Sequence, residues 1–181
     1  AGGNKLHPEV NEKFCHKLAL LEEMTTEPAL RTAKDQRAIL VGDLNVAPLE
    51  HDVWSHKQML KVVSHTPIEC EKLLAAQSHG DWIDIAREKF PMSEKVYTWW
   101  SYRAADWAAS DRGRRLDHVW VTPSVAPDLK SAQILREARG RRSLLAFLAE
   151  TGAAEGFAWL DPAAGDPGSA RSVHALAIGL D

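Results

Sequence analysis

The chain has 181 residues, 45% of them hydrophobic and 26% charged, with a net charge of −3 at pH 7. That length sets one domain as the default and supplies enough apolar side chain for a core. The slightly acidic balance excludes a global basic field of the kind that draws a protein onto nucleic acid, no apolar run reaches membrane-spanning length, and Cys15 and Cys70 match no metal-binding spacing. The two cysteines read as buried free thiols in a reducing compartment. With no signal peptide ahead of the first helix, the expectation is a soluble cytoplasmic protein.

Residues 1–6 carry no structural signal. His7-Pro8 opens a helix, and Val10, Phe14, Leu18 and Leu21 then recur at helical spacing, so this helix is expected to pack on a sheet. Pro28 interrupts the pattern. The run from Arg37 to Gly42 predicts a strand, and its four apolar residues bounded by glycine predict a central one, buried on both faces. It delivers Gly42-Asp43-Leu44-Asn45-Val46-Ala47-Pro48. Positions two apart on a strand share a side, so Asp43 and Asn45 can converge on one reacting atom, the carboxylate taking a proton from water and the carboxamide donating to a developing oxyanion. An Asx turn after a strand accounts for the same residues on conformational grounds alone. A second cluster, downstream, shifts the balance.

Leu49 to Lys61 reads as loop with a short helix. Trp54, His56 and His65 lie near the motif, and lone loop histidines of this kind read as satisfied surface residues with no assigned role. Thr66 caps a further helix with Pro67 at its first position and Glu69 in its first turn, and Gly80 ends it. Asp81 to Phe90 predicts another short helix, Val96–Trp100 and Leu116–Val121 predict strands, and Ser131–Leu135 predicts a last edge strand. Strands alternating with helices point to a layered α/β domain. Between residues 111 and 142 there are eight basic side chains (Arg112, Arg114, Arg115, Lys130, Arg136, Arg139, Arg141, Arg142) against four acidic ones, a local excess of four positive charges. Such a stripe suits a phosphate backbone, and it also suits a plain solvated face.

The second cluster is Tyr97-Thr98-Trp99-Trp100-Ser101-Tyr102-Arg103, then Gly113-Arg114-Arg115-Leu116-Asp117. Together with the Gly-Asp-Leu-Asn motif, and in the same order, these segments resemble the exonuclease III group of AP endonucleases within the endonuclease/exonuclease/phosphatase superfamily. The resemblance runs from about Asn11 to Arg139 and includes Leu49–Leu60, which is close to bacterial members. It implies a partial four-layer α/β sandwich: two mixed sheets with helices outside. Residues 1–140 would then be the C-terminal portion of that domain and residues 141–181 a divergent tail. The chain is expected to begin in the middle of the family's domain, without the Gln-Glu metal motif or the catalytic tyrosine. The family's Ser-Asp-His segment has only a faint counterpart in Ser172-Val173-His174, and a frameshifted or fused tail is one explanation.

What the resemblance implies for chemistry is specific. With Mg²⁺ or Mn²⁺ as cofactor, Asp43 would orient or deprotonate the attacking water, Asn45 would stabilise the transition state, and both could touch the metal. Asp117 would fix the tautomer of a catalytic imidazole. His118, its neighbour on the strand, points to the opposite face and is structural. Trp99 and Leu116 match the walls of an apolar pocket for a base-free sugar, Arg114 stands where an aromatic is common, and Arg103 occupies the position of a side chain inserted into the duplex. At least one of Trp99, Trp100 and Trp107 is core. The expected activity is an exodeoxyribonuclease III-like cut at abasic sites and 3′ ends of double-stranded DNA in base-excision repair, impaired in this chain. The alternatives are a non-catalytic DNA-binding remnant and another phosphodiesterase or phosphatase of the superfamily. Oligomeric state is not fixed by the sequence, although an uncovered apolar sheet face predicts self-association.

Overall fold

The computed structural model describes residues 9, 11–26, 36–101, 106–134, 136 and 176–180. Helix α1 (Glu12–Thr26) begins where the Asn11 side chain accepts from Phe14 N–H at 3.2 Å, so asparagine supplies the cap; Pro8 lies outside the described residues. Its apolar stripe buries Phe14, Leu18 and Leu21. After strand β1 (Ile39–Asp43), a 3₁₀ turn at Glu50–Asp52 and a one-turn helix α2 (His56–Met59) lead to α3 (Pro67–His79). Helix α3 follows the expected grammar: Thr66 and Glu69 form a capping box, Pro67 opens the first turn, and Gly80 closes the last by donating to Ala76 O at 3.2 Å. Then come β2 (Ile83–Asp84), α4 (Ile85–Lys89), β3 (Trp99–Trp100), α5 (Trp107–Ser110), β4 (Gly113–Arg114), β5 (Asp117–Val121), β6 (Leu129–Ile134) and β7 (Leu176–Leu180).

The main sheet has three antiparallel strands in the order β1-β5-β2. The middle position belongs to β5, every residue of which is buried. This corrects the expectation for β1. Among the described residues it is an edge strand, with Ile39 42% and Val41 47% exposed. A short apolar run says that a strand has hydrophobic side chains; it does not say that both faces are covered. Leu40, Trp120 and their neighbours face one side, where Leu21, Val46, Leu73 and Trp82 of α1, α3 and the adjoining loops complete a core. Val119, Val121 and Ile83 face the other side and pack with Ile85, Val125, Leu129 and Ala132. Ile39 and Val41 share that second face by register.

Strands β6 and β7 form a separate antiparallel pair, so the C-terminal stretch beyond residue 140 contributes an element to the fold. β3 and β4 form another, with Trp99 opposite Arg114 and Trp100 opposite Gly113. Here glycine is required by space. A Cβ on Gly113 would stand 2.5 Å from Tyr97 Cγ and 2.6 Å from Tyr97 Cβ. Gly113→Ala is therefore expected to cost about 1–3 kcal/mol by overpacking, read as a lowered midpoint in urea at unchanged slope.

Both cysteines are free, but Cys15 is exposed rather than buried as expected, because it falls off the Phe14–Leu18–Leu21 stripe. Cys70 is half-buried, and burial, with the Glu69 charge second, pushes its thiol up to about 12. Among the described residues no helix is long and apolar enough to cross a membrane.

Candidate active site

Asp43 ends β1 and Asp117 begins β5, and the register makes them direct cross-strand partners. The hydrogen bonds fix what kind of pair they are. Leu44 N donates to Leu116 O at 3.1 Å and Thr122 N to Ala38 O at 3.1 Å, so the even-numbered residues of β1 lie in hydrogen-bonded pairs and Asp43–Asp117 is a non-hydrogen-bonded one. Such pairs bring Cα atoms to about 4.5 Å and side chains closer still, on one face. Two carboxylates held opposite each other repel.

Asn45 is placed differently from expectation. It has left the strand, with φ at +53°, so the rule that residues two apart share a side no longer governs it. Asparagine tolerates this left-handed backbone better than most residues. Its N–H donates to Asp43 Oδ1 at 2.9 Å, which is the Asx turn the sequence allowed as the conformational reading. That turn brings the Asn45 backbone to the Asp43 carboxylate and leaves Asn45 exposed to solvent. The chain then dives inward: Val46 and Ala47 are fully buried, Val46 in the core beneath β1 and Ala47 in a separate cluster with Val53, Met59 and Leu116.

Thr98 joins the two downstream motifs. It is buried, and its Oγ1 accepts from Leu116 N at 3.0 Å and Asp117 N at 3.1 Å, fixing where Asp117 enters β5. Trp99 and Leu116, the expected pocket walls, are brought together: the half-buried Trp99 packs on the cluster that contains Leu116. Arg114 closes this corner with its guanidinium carbon 5.3 Å from the Trp99 ring centroid and its Nη1 donating to Ser64 Oγ at 3.0 Å. Burial pulls Arg114 below its usual range. Trp100 is core: it is buried, its Nε1 donates to Asp111 Oδ1 at 3.0 Å, and Trp107 lies against it at 5.5 Å between ring centroids. Arg103 and His174 lie outside the described residues.

The described arginines of the basic stripe sit in different surroundings. Arg115 is fully buried, with Nε and Nη2 donating to the two Asp52 oxygens at 2.9 Å each and Nη1 to Asp84 Oδ2 at 2.7 Å. Arg112 lies 4.7 Å above the Trp54 ring, and Arg136 lies over Trp100 and Trp107 while pairing with Asp111 at 3.0 Å. Arg139, Arg141 and Arg142 lie outside the described residues.

Three structural residues escaped the sequence reading. Asp52, placed in a mixed loop segment, is a fully buried ion-pair hub that also receives Arg87. His65, taken for a surface residue, is buried, with Nδ1 bonded to Ala47 O and Nε2 2.8 Å from His56 Nδ1. Lys17, off the apolar stripe of α1, reaches Asn45 O at 3.1 Å and pairs with the fully buried Glu69. His118 does turn to the face opposite Asp117. It is buried, its Nε2 lies 2.8 Å from Val46 O, and burial first and Arg115 second push its pKa down to about 4, so it is a neutral structural imidazole.

A family model described as the endonuclease/exonuclease/phosphatase family matches residues 3–165. The chain belongs to this family. Among curated proteins it is 32% identical over 121 residues to an exodeoxyribonuclease of Bacillus subtilis (66% of this chain, 46% of that protein) and 32% identical over 102 residues to the DNA repair nuclease APEX1 of Danio rerio (56% of this chain, 32% of that protein). Among solved structures, an AP endonuclease from Archaeoglobus fulgidus superposes with a TM-score of 0.67 at 25% identity, covering 73% of this chain and 51% of that one. The chain thus spans about half or less of the length of these relatives, and its α/β architecture is the family's.

Proposed function

We propose that this chain carries part of the active centre of a divalent-metal-dependent DNA phosphodiesterase of the exonuclease III and AP endonuclease kind, acting in the cytoplasm on abasic sites and 3′ ends of double-stranded DNA. One observation carries the reading: Asp43 and Asp117, from two motifs far apart in sequence, are register partners on one face at the end of β1 and β5. A lone Asx turn has no reason to sit opposite a buried carboxylate.

The donor set fits a hard cation. A carboxylate and a carboxamide are oxygen ligands of the kind Mg²⁺ and Mn²⁺ take, and Mg²⁺ is commonly held by one or two carboxylates with substrate phosphate completing the shell. Asp43 and Asn45 would hold it, and it would supply charge neutralisation and polarisation of the scissile phosphate. Asp43 orients or deprotonates the attacking water, and the exposed Asn45 carboxamide donates to the phosphate oxygen on which charge develops. Asp117 holds the carboxylate side of a proton relay. Trp99, Leu116 and Arg114 form a compact corner: an apolar floor that admits a base-free sugar, and a cation above it for the adjoining phosphate.

The alternative is a non-catalytic DNA-binding remnant. One assay separates the two. A duplex with a single synthetic abasic site is incubated with the chain in Mg²⁺ or in chelator. Nicking that requires Mg²⁺ is the expected result. Binding with no nicking in either condition would establish the remnant, and release of phosphate from small esters with the duplex left intact would point to a phosphatase.

A further inference from the structure

Three successive carbonyls, those of Asn45, Val46 and Ala47, each accept a hydrogen bond from a side chain on a different element. Lys17 Nζ of α1 reaches Asn45 O at 3.1 Å, His118 Nε2 of β5 reaches Val46 O at 2.8 Å, and His65 Nδ1, just ahead of α3, reaches Ala47 O. A carbonyl only accepts, so each of these nitrogens carries the proton, and the tautomers of both histidines follow. Each donor is fixed in turn from behind. Lys17 pairs with the fully buried Glu69, which also accepts from Ser64 N, Thr66 N and Thr66 Oγ1. The lone pair on His118 Nδ1 faces Arg115 Nη1 at 3.3 Å, and His65 Nε2 accepts from His56 Nδ1 at 2.8 Å.

We infer that Lys17, His118 and His65 are positioning residues that clamp the Asp43–Asn45 turn by its backbone, and that Lys17 does so at the catalytic end. The inference rests on the function proposed above for that turn. Mere burial of the loop would need its carbonyls satisfied; it would not need a lysine anchored on a buried glutamate to reach the one exposed residue of the turn. Asn45 sits in a left-handed backbone well that few residues populate, and its neighbours Val46 and Ala47 are locked into two different clusters. The Lys17 bond closes the remaining freedom of that peptide. Displacements well under a bond length at a site of this type cost rate, so support from outside the motif decides whether the carboxamide is in place when phosphate arrives.

The test compares Lys17→Met, which keeps the apolar stem, with Lys17→Arg, which keeps a donor, in the intact chain. Amide hydrogen exchange of Asn45, whose N–H is held by Asp43, is read against that of Val119 and Trp120 in the core strand. In Lys17→Met, Asn45 exchange is expected to accelerate about tenfold while the core amides hold, kcat on the abasic duplex to fall about tenfold with KM within about twofold, and Lys17→Arg to restore both. Unchanged exchange and unchanged kcat in Lys17→Met would overturn the inference, as would a change confined to KM. If the unaltered chain cleaves nothing, the proposed function fails, and the exchange readout still decides the clamp by itself. Should Lys17→Met not fold because Glu69 has lost its buried partner, Lys17→Met with Glu69→Gln removes both charges, and the same readings apply.

Discussion

Asp43→Asn is expected to abolish Mg²⁺-dependent nicking, a loss on the order of 10³-fold in kcat, without lowering the melting temperature. The two halves of this expectation come from the same geometry. Asparagine keeps an oxygen where Asp43 Oδ1 accepts from Asn45 N–H, so the Asx turn survives. It removes one of two charges that face each other across a non-hydrogen-bonded pair, so the sheet loses a repulsion. Stability should be unchanged or higher by about 0.5 kcal/mol, while the proposed proton acceptor and proposed metal-ligating charge are both gone. A residue that is neutral or harmful to the fold and indispensable to turnover is functional. Thermal melts in chelator, beside kcat in Mg²⁺, check it. A parallel loss of both stability and activity would make Asp43 an architectural residue.

The largest expected effect on stability lies elsewhere. Asp52 is fully buried, takes both prongs of Arg115 at 2.9 Å, and also receives Arg87. Arg115 in turn ties in Asp84, which caps α4 through Ala86 N at 3.1 Å. Removing one member strands a charge in a place water does not reach. Asp52→Ala should cost about 3–5 kcal/mol, a large share of the stability of a domain this size, measured as a shift of the urea midpoint. Acid should find the same network. Burial raises the Asp52 pKa, but Arg115 and Arg87 outweigh it and hold the group below its ordinary value of 3.8. His118, depressed to about 4 from 6.5, is neutral when folded. Both groups bind protons more readily in the unfolded chain, so both contribute stability above their unfolded pKa that is lost on acidification. A loss is therefore expected from about pH 6.5 down to 4 through His118, and a further loss below pH 3.8 through Asp52. Urea midpoints from pH 7.5 to 2.5 measure this, and a flat profile between pH 6.5 and 4 would mean that His118 is not buried neutral.

How much of this the sequence disclosed depended on whether local or distant residues decide. Helix α3 was readable from end to end, because Thr66, Pro67, Glu69 and Gly80 act on the backbone next to them. The strand bearing the Gly-Asp-Leu-Asn motif was readable; its place at the sheet edge was not, since the neighbour a strand lacks leaves no mark on its own residues. For Asn45 the sequence leaves strand and Asx turn both open, because nothing local announces a positive φ until Asp43 captures its N–H. That Asp43 and Asp117 meet came only through family resemblance, as no periodicity links residues so far apart. Arg114 and Arg115 both belong to the basic stripe in sequence, yet strand alternation is a signal that they part: one lies over Trp99 and the other enters the core. Asp52, His65 and Lys17 gave no signal, because each is defined by what the fold brings to it.

Under the proposed function, Asp43 and Asn45 hold one cation at the end of β1, facing Asp117 at the start of β5. A titration with Mn²⁺, followed by paramagnetic broadening of backbone amide resonances, tests it without requiring turnover. The expected result is early loss of signal at Asp43, Leu44, Asn45, Leu116 and Asp117, abolished in Asp43→Asn. Broadening that begins elsewhere, or that is unaltered in Asp43→Asn, would contradict it.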